Sequence, residues 1–474
     1  MAIEIDLLKV NRGSITAPAG CGKTQLIGNA LKSHNDKKPI LVLTHTHAGV
    51  NALRSRLAKV KVSPSSYVLA TIDGWAMKLA STFPKTSKIT PETLKLKNPR
   101  DDYPAIHEAT LVILKTKSIE DILLASYSRV IVDEYQDCSK AQHLVVSVLA
   151  ETLPTCVLGD PLQAIFGFRG ETQPSWEKDI CSVFPPSGEL STPWRWKNGG
   201  SEELGNWLLD VRKCLLSGKP IDLTQAPGAV TWIQLNGKGS DYIKILKAAQ
   251  TRPSENGDRT LVIGDSVHAD SRHRIASSVG GAIAVEAVEL QDLVEFSENI
   301  NLDSENLFEL VLSFAKCLMT KVGELNLSRR VQSLMKGTAK TKASDIEIAA
   351  MDLVAQPTYS KIANLLDRVS NSKEVRVYRP TVLQACIRAL HLANDATVVS
   401  FKDAVIRIRE QHRFLGRPLP QRAVGSTLLL KGLEAESAII LNADAFDSRN
   451  LYVAMTRGSK NLVICSRSNL LSPK

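Results

Sequence analysis

Two short stretches of this 474-residue chain carry residue types and spacings suited to phosphate chemistry. The first is Ala17-Pro18-Ala19-Gly20-Cys21-Gly22-Lys23-Thr24, which follows the short apolar run Ser14-Ile15-Thr16 and opens into a helix-like pattern from Gln25 to Leu31. Glycines at 20 and 22 let backbone N–H groups wrap phosphate oxygens without a Cβ in the way, and a helix N-terminus adds its dipole. Lys23 would reach the terminal phosphates of a nucleotide, and Thr24 would hold Mg²⁺. Ala19, Gly20, Cys21, Gly22, Lys23, Thr24 and Gln25 are therefore the candidate nucleotide cradle. The second stretch, Val130-Ile131-Val132-Asp133-Glu134-Tyr135-Gln136-Asp137, ends a β-branched run in two adjacent carboxylates. Asp133 suits the magnesium side, and Glu134 suits activation of an attacking water. In this order the two stretches predict hydrolysis of a nucleoside triphosphate.

These residues need a scaffold of strands ending at one edge. Strands are expected at Ser14–Thr16, Ile40–Leu43, Tyr67–Ile72, Arg129–Val132 and Thr155–Leu158, with helices between them as at Ala48–Ala58 and Ala141–Ala150. Such alternation predicts an α/β fold with a helix-covered parallel sheet. Ser81–Asp102, rich in Lys, Thr and Pro, is expected as a small insertion or loop, and a boundary is expected near Phe184–Gly188. A second set of strands is expected at Ala229–Leu235, Thr260–Ile263, Gly425–Leu430, Ala438–Asn442 and Asn461–Ile464. Aliphatic helices such as Leu307–Met319 and Ala363–Val369 interrupt it, with a loop at Lys336–Ser344.

The length implies several domains, and the composition (43% hydrophobic, 23% charged) is that of an ordinary globular chain. No apolar run is long enough for a membrane span. Eight scattered cysteines without a Cys-x-x-Cys pair argue against a zinc site or a disulfide framework and suggest a cytoplasmic setting. Fifty-nine Lys and Arg against 49 Asp and Glu leave a net charge of +10, which suits a polyanionic partner.

Further chemistry follows the second carboxylate motif. Gln163, in Gly159-Asp160-Pro161-Leu162-Gln163, lies just past a strand end, where an amide can sense a γ-phosphate or its attacking water. Phe166 and Phe168, beside Arg169, can stack on bases of any sequence at roughly 1–3 kcal/mol each. Phe166 suits a core position equally well.

Together with Lys431-Gly432-Leu433-Glu434 and Leu451-Tyr452-Val453-Ala454-Met455-Thr456-Arg457, this ordered set resembles the superfamily 1 DNA helicases of the UvrD/Rep/PcrA type. The resemblance spans roughly residues 10–200 and 420–465. It implies two RecA-like parallel-sheet P-loop domains with a mostly helical insertion in the second. Residues 1–184 would form the first core, with a small insertion near 76–128. Residues 185–290 and 421–474 would form the second, and 291–420 the helical accessory insertion. The implied activity is that of a single-stranded DNA translocase or helicase using Mg²⁺ and ATP, with other nucleotides left open, and moving 3′→5′. Gln163 would couple hydrolysis to the DNA site, Trp194 would stack on adenine, and Arg195 and Arg457 would touch the γ-phosphate. Glu434 would accept the ribose hydroxyl.

On the DNA side, Thr44-His45-Thr46 occupies the place of an aromatic between two threonines, so His45 would stack while Thr44 and Thr46 meet phosphates. Thr71-Ile72-Asp73 places Asp73 where the family carries histidine, and Leu428 likewise replaces a late-motif histidine. His45 and His47 have no carboxylate or cysteine beside them in sequence, which argues against a metal site there. The expected partner is single-stranded or partly duplex DNA. Because the stretch between Trp75 and Arg129 is short for a processive helicase, a TOPRIM-type nuclease partner, as in Gabija-type anti-phage systems, is a second expectation. Repair and phage defence both stay open, as does RNA as the strand. The alternative from another class is a nucleotide-gated nucleic-acid-binding switch with little unwinding of its own. Residues 1–24 contain no glutamine, although the family reads adenine with one there, so nucleotide choice is expected to relax.

Overall fold

The computed structural model describes residues 5–167, 173–252, 255, 257–394, 400–412 and 419–473. They group into two compact units: one drawn from Met1–Val230, Phe446–Lys460 and Asn469–Lys474, the other from Thr231–Ala445 and Asn461–Ser468.

The first unit is built on six strands, β1 (Arg12–Thr16), β2 (Ile40–Thr44), β3 (Tyr67–Thr71), β4 (Arg129–Val132), β5 (Thr155–Gly159) and β6 (Pro186–Glu189), in the order β3-β2-β4-β5-β1-β6. All five pairings are parallel. The apolar runs of β2, β4 and β5 do not alternate with polar residues because both faces of the sheet are covered. Ile40, Val42, Ile131 and Leu158 pack with the helices Lys23–Ser33 and His47–Lys59. Leu41, Leu43, Val130, Val132 and Val157 pack with Ile72, Trp75, Ile113 and Val145 on the opposite side. Strands buried this way have little freedom to slip, so the loops at their carboxyl ends are held at one edge.

Ser81–Asp102 is not one irregular loop. It contains the short helices Pro84–Ser87 and Pro91–Leu94, and a long helix, Pro99–Lys115, begins within it. Each starts with proline, whose missing N–H costs nothing in a first turn. The stretch expected as a boundary is edge strand β6, and the first unit continues through Glu202–Leu216 and a two-residue strand β7 (Ile221–Asp222).

The second unit carries β8 (Val230–Gln234), β9 (Thr260–Ile263), β10 (Ala282–Ala284), β11 (Arg422–Gly425), β12 (Ala435–Ile440) and β13 (Gly458–Ser466), in the order β10-β11-β9-β12-β13-β8. The pairings β10·β11, β11·β9 and β9·β12 are parallel. A last short strand, β14 (Leu470–Leu471), pairs antiparallel with β7. The strand expected over Gly425–Leu430 is corrected: β11 ends at Gly425, and Thr427–Leu430 is a helical turn capped by Ser426, whose side chain accepts the Leu429 N–H at 3.3 Å. A short run of leucines has no periodicity to separate the two states, and the cap decides it.

Between β10 and β11 the chain forms helices, among them Leu307–Leu318, Asp345–Ala355, Tyr359–Ser370 and Pro380–Ala393, around their own apolar core. The fold is therefore α/β, with two parallel-sheet halves and a helical insertion in the second. Among the described residues no helix is long and apolar enough to cross a membrane.

Candidate functional site

The candidate phosphate loop follows β1. Gly20 and Gly22 adopt φ of +70° and +88°, and Gly22 is the N-cap of the helix Lys23–Ser33. A Cβ on Gly20 would come within 2.5 Å of the Trp196 ring, and one on Gly22 within 2.9 Å of Trp194. Both glycines are thus required twice, by their left-handed backbone and by an indole lying against the turn. Cys21 is buried in the loop, and burial together with the charge of Asp160 pushes its thiol up to about 12. Gln25, in the first helical turn, donates to Asn29 at 2.7 Å.

Lys23 closes the loop onto the carboxylates at the end of β4. Its Nζ lies 2.9 Å from Asp133 Oδ1 and 2.6 Å from Glu134 Oε1. Burial favours the neutral amine, but the two carboxylates outweigh it and raise the lysine above its ordinary value. Asp133 is raised mainly by burial and also by Glu134, against the lowering effect of Lys23. Glu134 has φ +53°, an uncommon state for a non-glycine residue, and its N–H is held by Asp133 Oδ1 at 2.9 Å. Gln136 Nε2 donates to the second Glu134 oxygen at 2.7 Å, while Gln136 Oε1 accepts the Asp160 N–H at 3.1 Å. The carboxylate best placed to take a proton is therefore gripped from both sides.

Metal-binding capacity at this point is modest and of one kind. Thr24 Oγ1 and the Asp133 carboxylate are hard oxygen donors, the set Mg²⁺ uses beside nucleotide phosphates. Thr24 Oγ1 accepts from Arg56 at 3.1 Å. Among the described residues no group of three or more His, Cys, Asp or Glu side chains could hold a metal ion by itself.

Beyond β5 lies a buried polar hub. Asp160 is 1% exposed and pairs with Arg212 at 3.3 Å, while Arg212 also reaches Glu189 at 2.8 Å. Gln163 Nε2 donates to Asp160 Oδ2 at 3.1 Å. Tyr452 hydrogen-bonds to Asp160, and its hydroxyl accepts the Ala19 N–H at 3.2 Å. Burial raises Asp160 despite Arg212 and these hydrogen bonds.

The helix Trp194–Asn198 brings the other aromatic and cationic groups. Trp194 is 46% exposed over Gly22, with Lys197 Nζ 5.6 Å from its ring centroid. Arg195 lies over the Trp196 ring and donates to Thr456 O at 2.7 Å. Trp196 is buried and donates to Gly458 O at 2.9 Å. Arg457 is buried too, and its contacts include Val453 O at 2.9 Å and Thr456 Oγ1 at 3.2 Å.

At the ends of β2 and β3, Thr46 caps the helix His47–Lys59 and Thr71 caps the helix Ile72–Thr82, each accepting the N–H three residues on. Thr44 is buried at the end of β2. The His45 and Phe166 rings sit 5.6 Å apart at 56°. Phe166 is 37% exposed, so of the two expectations for this residue the core position does not describe it. Phe168 lies outside the described residues. Glu434 belongs to the second unit, in the loop before β12, next to Gly432 at φ +80°.

The first unit thus gathers Lys23, Thr24, Asp133, Glu134, Gln163, Trp194, Arg195 and Arg457 with His45 and Phe166. Sequence reading passed over Gln136, Tyr452 and Arg212. Gln136 and Tyr452 stood inside quoted motifs, but nothing in spacing alone signalled Arg212, whose partners lie 52 and 23 positions away.

Residues 91–177 match the family model of the UvrD/REP helicase N-terminal domain. No curated protein sequence matches the chain. Among solved structures, arterivirus nonstructural protein 10 (helicase), in complex with DNA, is 11% identical over 56% of this chain and 50% of that one, with a TM-score of 0.28. Pif1 helicase from Bacteroides, in complex with ADP-AlF3 and single-stranded DNA, is 15% identical over 56% of this chain and 52% of that one, with a TM-score of 0.27. The chain spans about half the length of each.

Proposed function

We propose that this chain works as a UvrD-like superfamily 1 helicase, an ATP-dependent motor that moves 3′→5′ along single-stranded DNA. One observation carries the reading: Lys23 joins the phosphate loop to Asp133 and Glu134 in the unit that also presents the half-exposed His45–Phe166 pair. One sheet edge then holds both a hydrolytic centre and a surface on which bases can stack.

In this proposal Ala19–Gln25 cradle the phosphates and Trp194 covers the base. Phosphate oxygens draw Lys23 away from the carboxylates, freeing Glu134 to accept a proton from water. Mg²⁺, held by Thr24 and Asp133, would neutralise charge on the phosphates. Arg195 and Arg457 stabilise the charge that develops in transfer. Gln163, tied to Asp160 and through it to Tyr452 and the Ala19 N–H, links the nucleotide to the loop bearing Phe166. Thr44, Thr46 and Thr71 lie at the strand ends where backbone phosphates of DNA would pass. The two units serve as RecA-like cores and the helices between β10 and β11 as an accessory insertion.

Strand displacement from duplexes with a 3′ or a 5′ single-stranded tail tests the reading. ATP-dependent displacement from the 3′-tailed duplex alone supports it, and displacement from the 5′-tailed one alone contradicts it. A TOPRIM-type nuclease partner belongs to the same proposal, and co-purification with one is its test.

A further inference from the structure

Asp73 stands where the resemblance leads one to expect histidine, and its surroundings give that exchange a physical content. Its Oδ1 receives two hydrogen bonds, from His107 Nε2 at 2.7 Å and from Gln142 Nε2 at 2.7 Å. Gln142 Oε1 accepts the Ser139 N–H at 3.0 Å and meets His45 Nδ1 at 3.3 Å. His45 in turn packs against Phe166. Five side chains from separate strand ends and helices, all in the first unit, thus form one line: His107, Asp73, Gln142, His45, Phe166.

The direction of every bond in this line is fixed. An ionised carboxylate can only accept, so the Gln142 nitrogen must face Asp73. A backbone N–H can only donate, so the Gln142 oxygen must face Ser139, and the amide cannot be flipped. That same oxygen can only accept from His45, which places a proton on Nδ1 of His45 and sets its tautomer. Gln142 and His107 are 3% and 7% exposed, so these bonds are shielded from competing water. Burial by itself raises the Asp73 carboxyl, but hydrogen bonds from His107 and Gln142 and the nearby imidazoles outweigh it and hold the group below its ordinary value. The half-exposed imidazole of His45 would otherwise sample several orientations, and ordering it would oppose binding of a base.

We propose that Asp73 and His107 are positioning residues for the DNA strand: acting through Gln142, they fix the tautomer and orientation of His45 against Phe166 and so preform a two-ring surface for a base. The inference rests on the reading of the chain as a DNA motor. The competing role for the same bonds is only to tie together the helices Ile72–Thr82, Pro99–Lys115 and Lys140–Leu149.

The experiment measures ATP hydrolysis against single-stranded DNA concentration for the full chain and its variants, each checked by thermal melting. Asp73→Ala is expected to raise the KM for DNA about tenfold, the scale of part of one stacking interaction, with kcat at saturating DNA nearly unchanged. Asp73→Asn retains an acceptor oxygen and should restore most of the affinity. His45→Phe supplies a ring that needs no hydrogen bond, so adding Asp73→Ala to it should cost less than about twofold. An equal loss from Asp73→Ala in the wild-type and His45→Phe backgrounds overturns the inference, since Asp73 would then not act through His45. An unchanged KM in Asp73→Ala overturns it also. A wild-type chain whose hydrolysis ignores DNA, and which fails to bind it, overturns the motor reading and this inference together.

Discussion

Lys23 Nζ lies 2.6 Å from Glu134 Oε1, so the cation of the candidate phosphate loop and the carboxylate proposed to activate water pair directly. Asp133 completes the cluster at 2.9 Å. In the proposed function, a bound triphosphate would exchange one set of anionic partners of Lys23 for another and free Glu134 in the same movement.

Glu134→Gln is expected to lower turnover by about 10²–10⁴-fold, the usual contribution of a positioned base, because an amide cannot take the proton of water. Nucleotide affinity should change little. Lys23→Ala should lose affinity and turnover together, since its Nζ serves the phosphates directly. Calorimetric titration with ATP alongside steady-state hydrolysis separates the two cases. Wild-type hydrolysis in either variant would contradict the assignment.

Trp194 lies against Gly22 with nearly half its surface exposed, whereas Trp196 is buried beneath the same loop. An adenine stacking above the loop should quench Trp194 emission. Nucleotide-induced quenching should disappear in Trp194→Phe, with ATP binding weaker by about 1 kcal/mol from the smaller ring. Quenching that survives unchanged would place the base elsewhere.

Arg212 and Asp160 offer a pH test. Burial is the main cause of the raised Asp160 carboxyl, and Arg212 is the first group opposing it. Removing one partner of such a buried pair costs about 3–5 kcal/mol. In Arg212→Met the carboxyl should rise further. A carboxyl raised in the folded state contributes stability below its unfolded range and loses it as pH rises through the folded value. The variant's deficit should therefore shrink as pH falls from neutrality toward the ordinary carboxylate range. Melting temperatures of variant and wild type across that range check it, and a deficit that grows in acid would contradict it.

Base selection is a further consequence of the sequence. Residues 1–24 contain no glutamine to read adenine. Two absent hydrogen bonds at about 1 kcal/mol each amount to roughly thirtyfold in discrimination. ATP and GTP should thus be hydrolysed with kcat/KM values within about tenfold of each other. A strict preference for ATP would mean that other residues read the base.

What could be read from the chain before folding divides along physical lines. The glycine turn bearing Lys23 and the strand end bearing Asp133 and Glu134, which the structure brings together, were legible because each is a contiguous stretch. Strands β2, β4 and β5 were legible because both faces are buried and their apolar runs are continuous, whereas the exposed, polar edge strand β6 was read as a boundary. Gly425–Leu430 was misread because a capped helical turn of leucines has the composition of a buried strand. The Asp73 line was invisible for another reason: His107 and Gln142 lie 34 and 69 positions away, and only helix packing brings them to one carboxylate. Arg212 and Tyr452 met Asp160 in the same way.

The measurement that bears most directly on the central claim is ATP hydrolysis by the full chain with and without single-stranded DNA, with Glu134→Gln as the blank. A large rise in turnover with DNA, absent in the variant, is the predicted result. Hydrolysis indifferent to DNA, or equal in wild type and variant, would contradict a DNA-driven motor centred on Lys23 and Glu134.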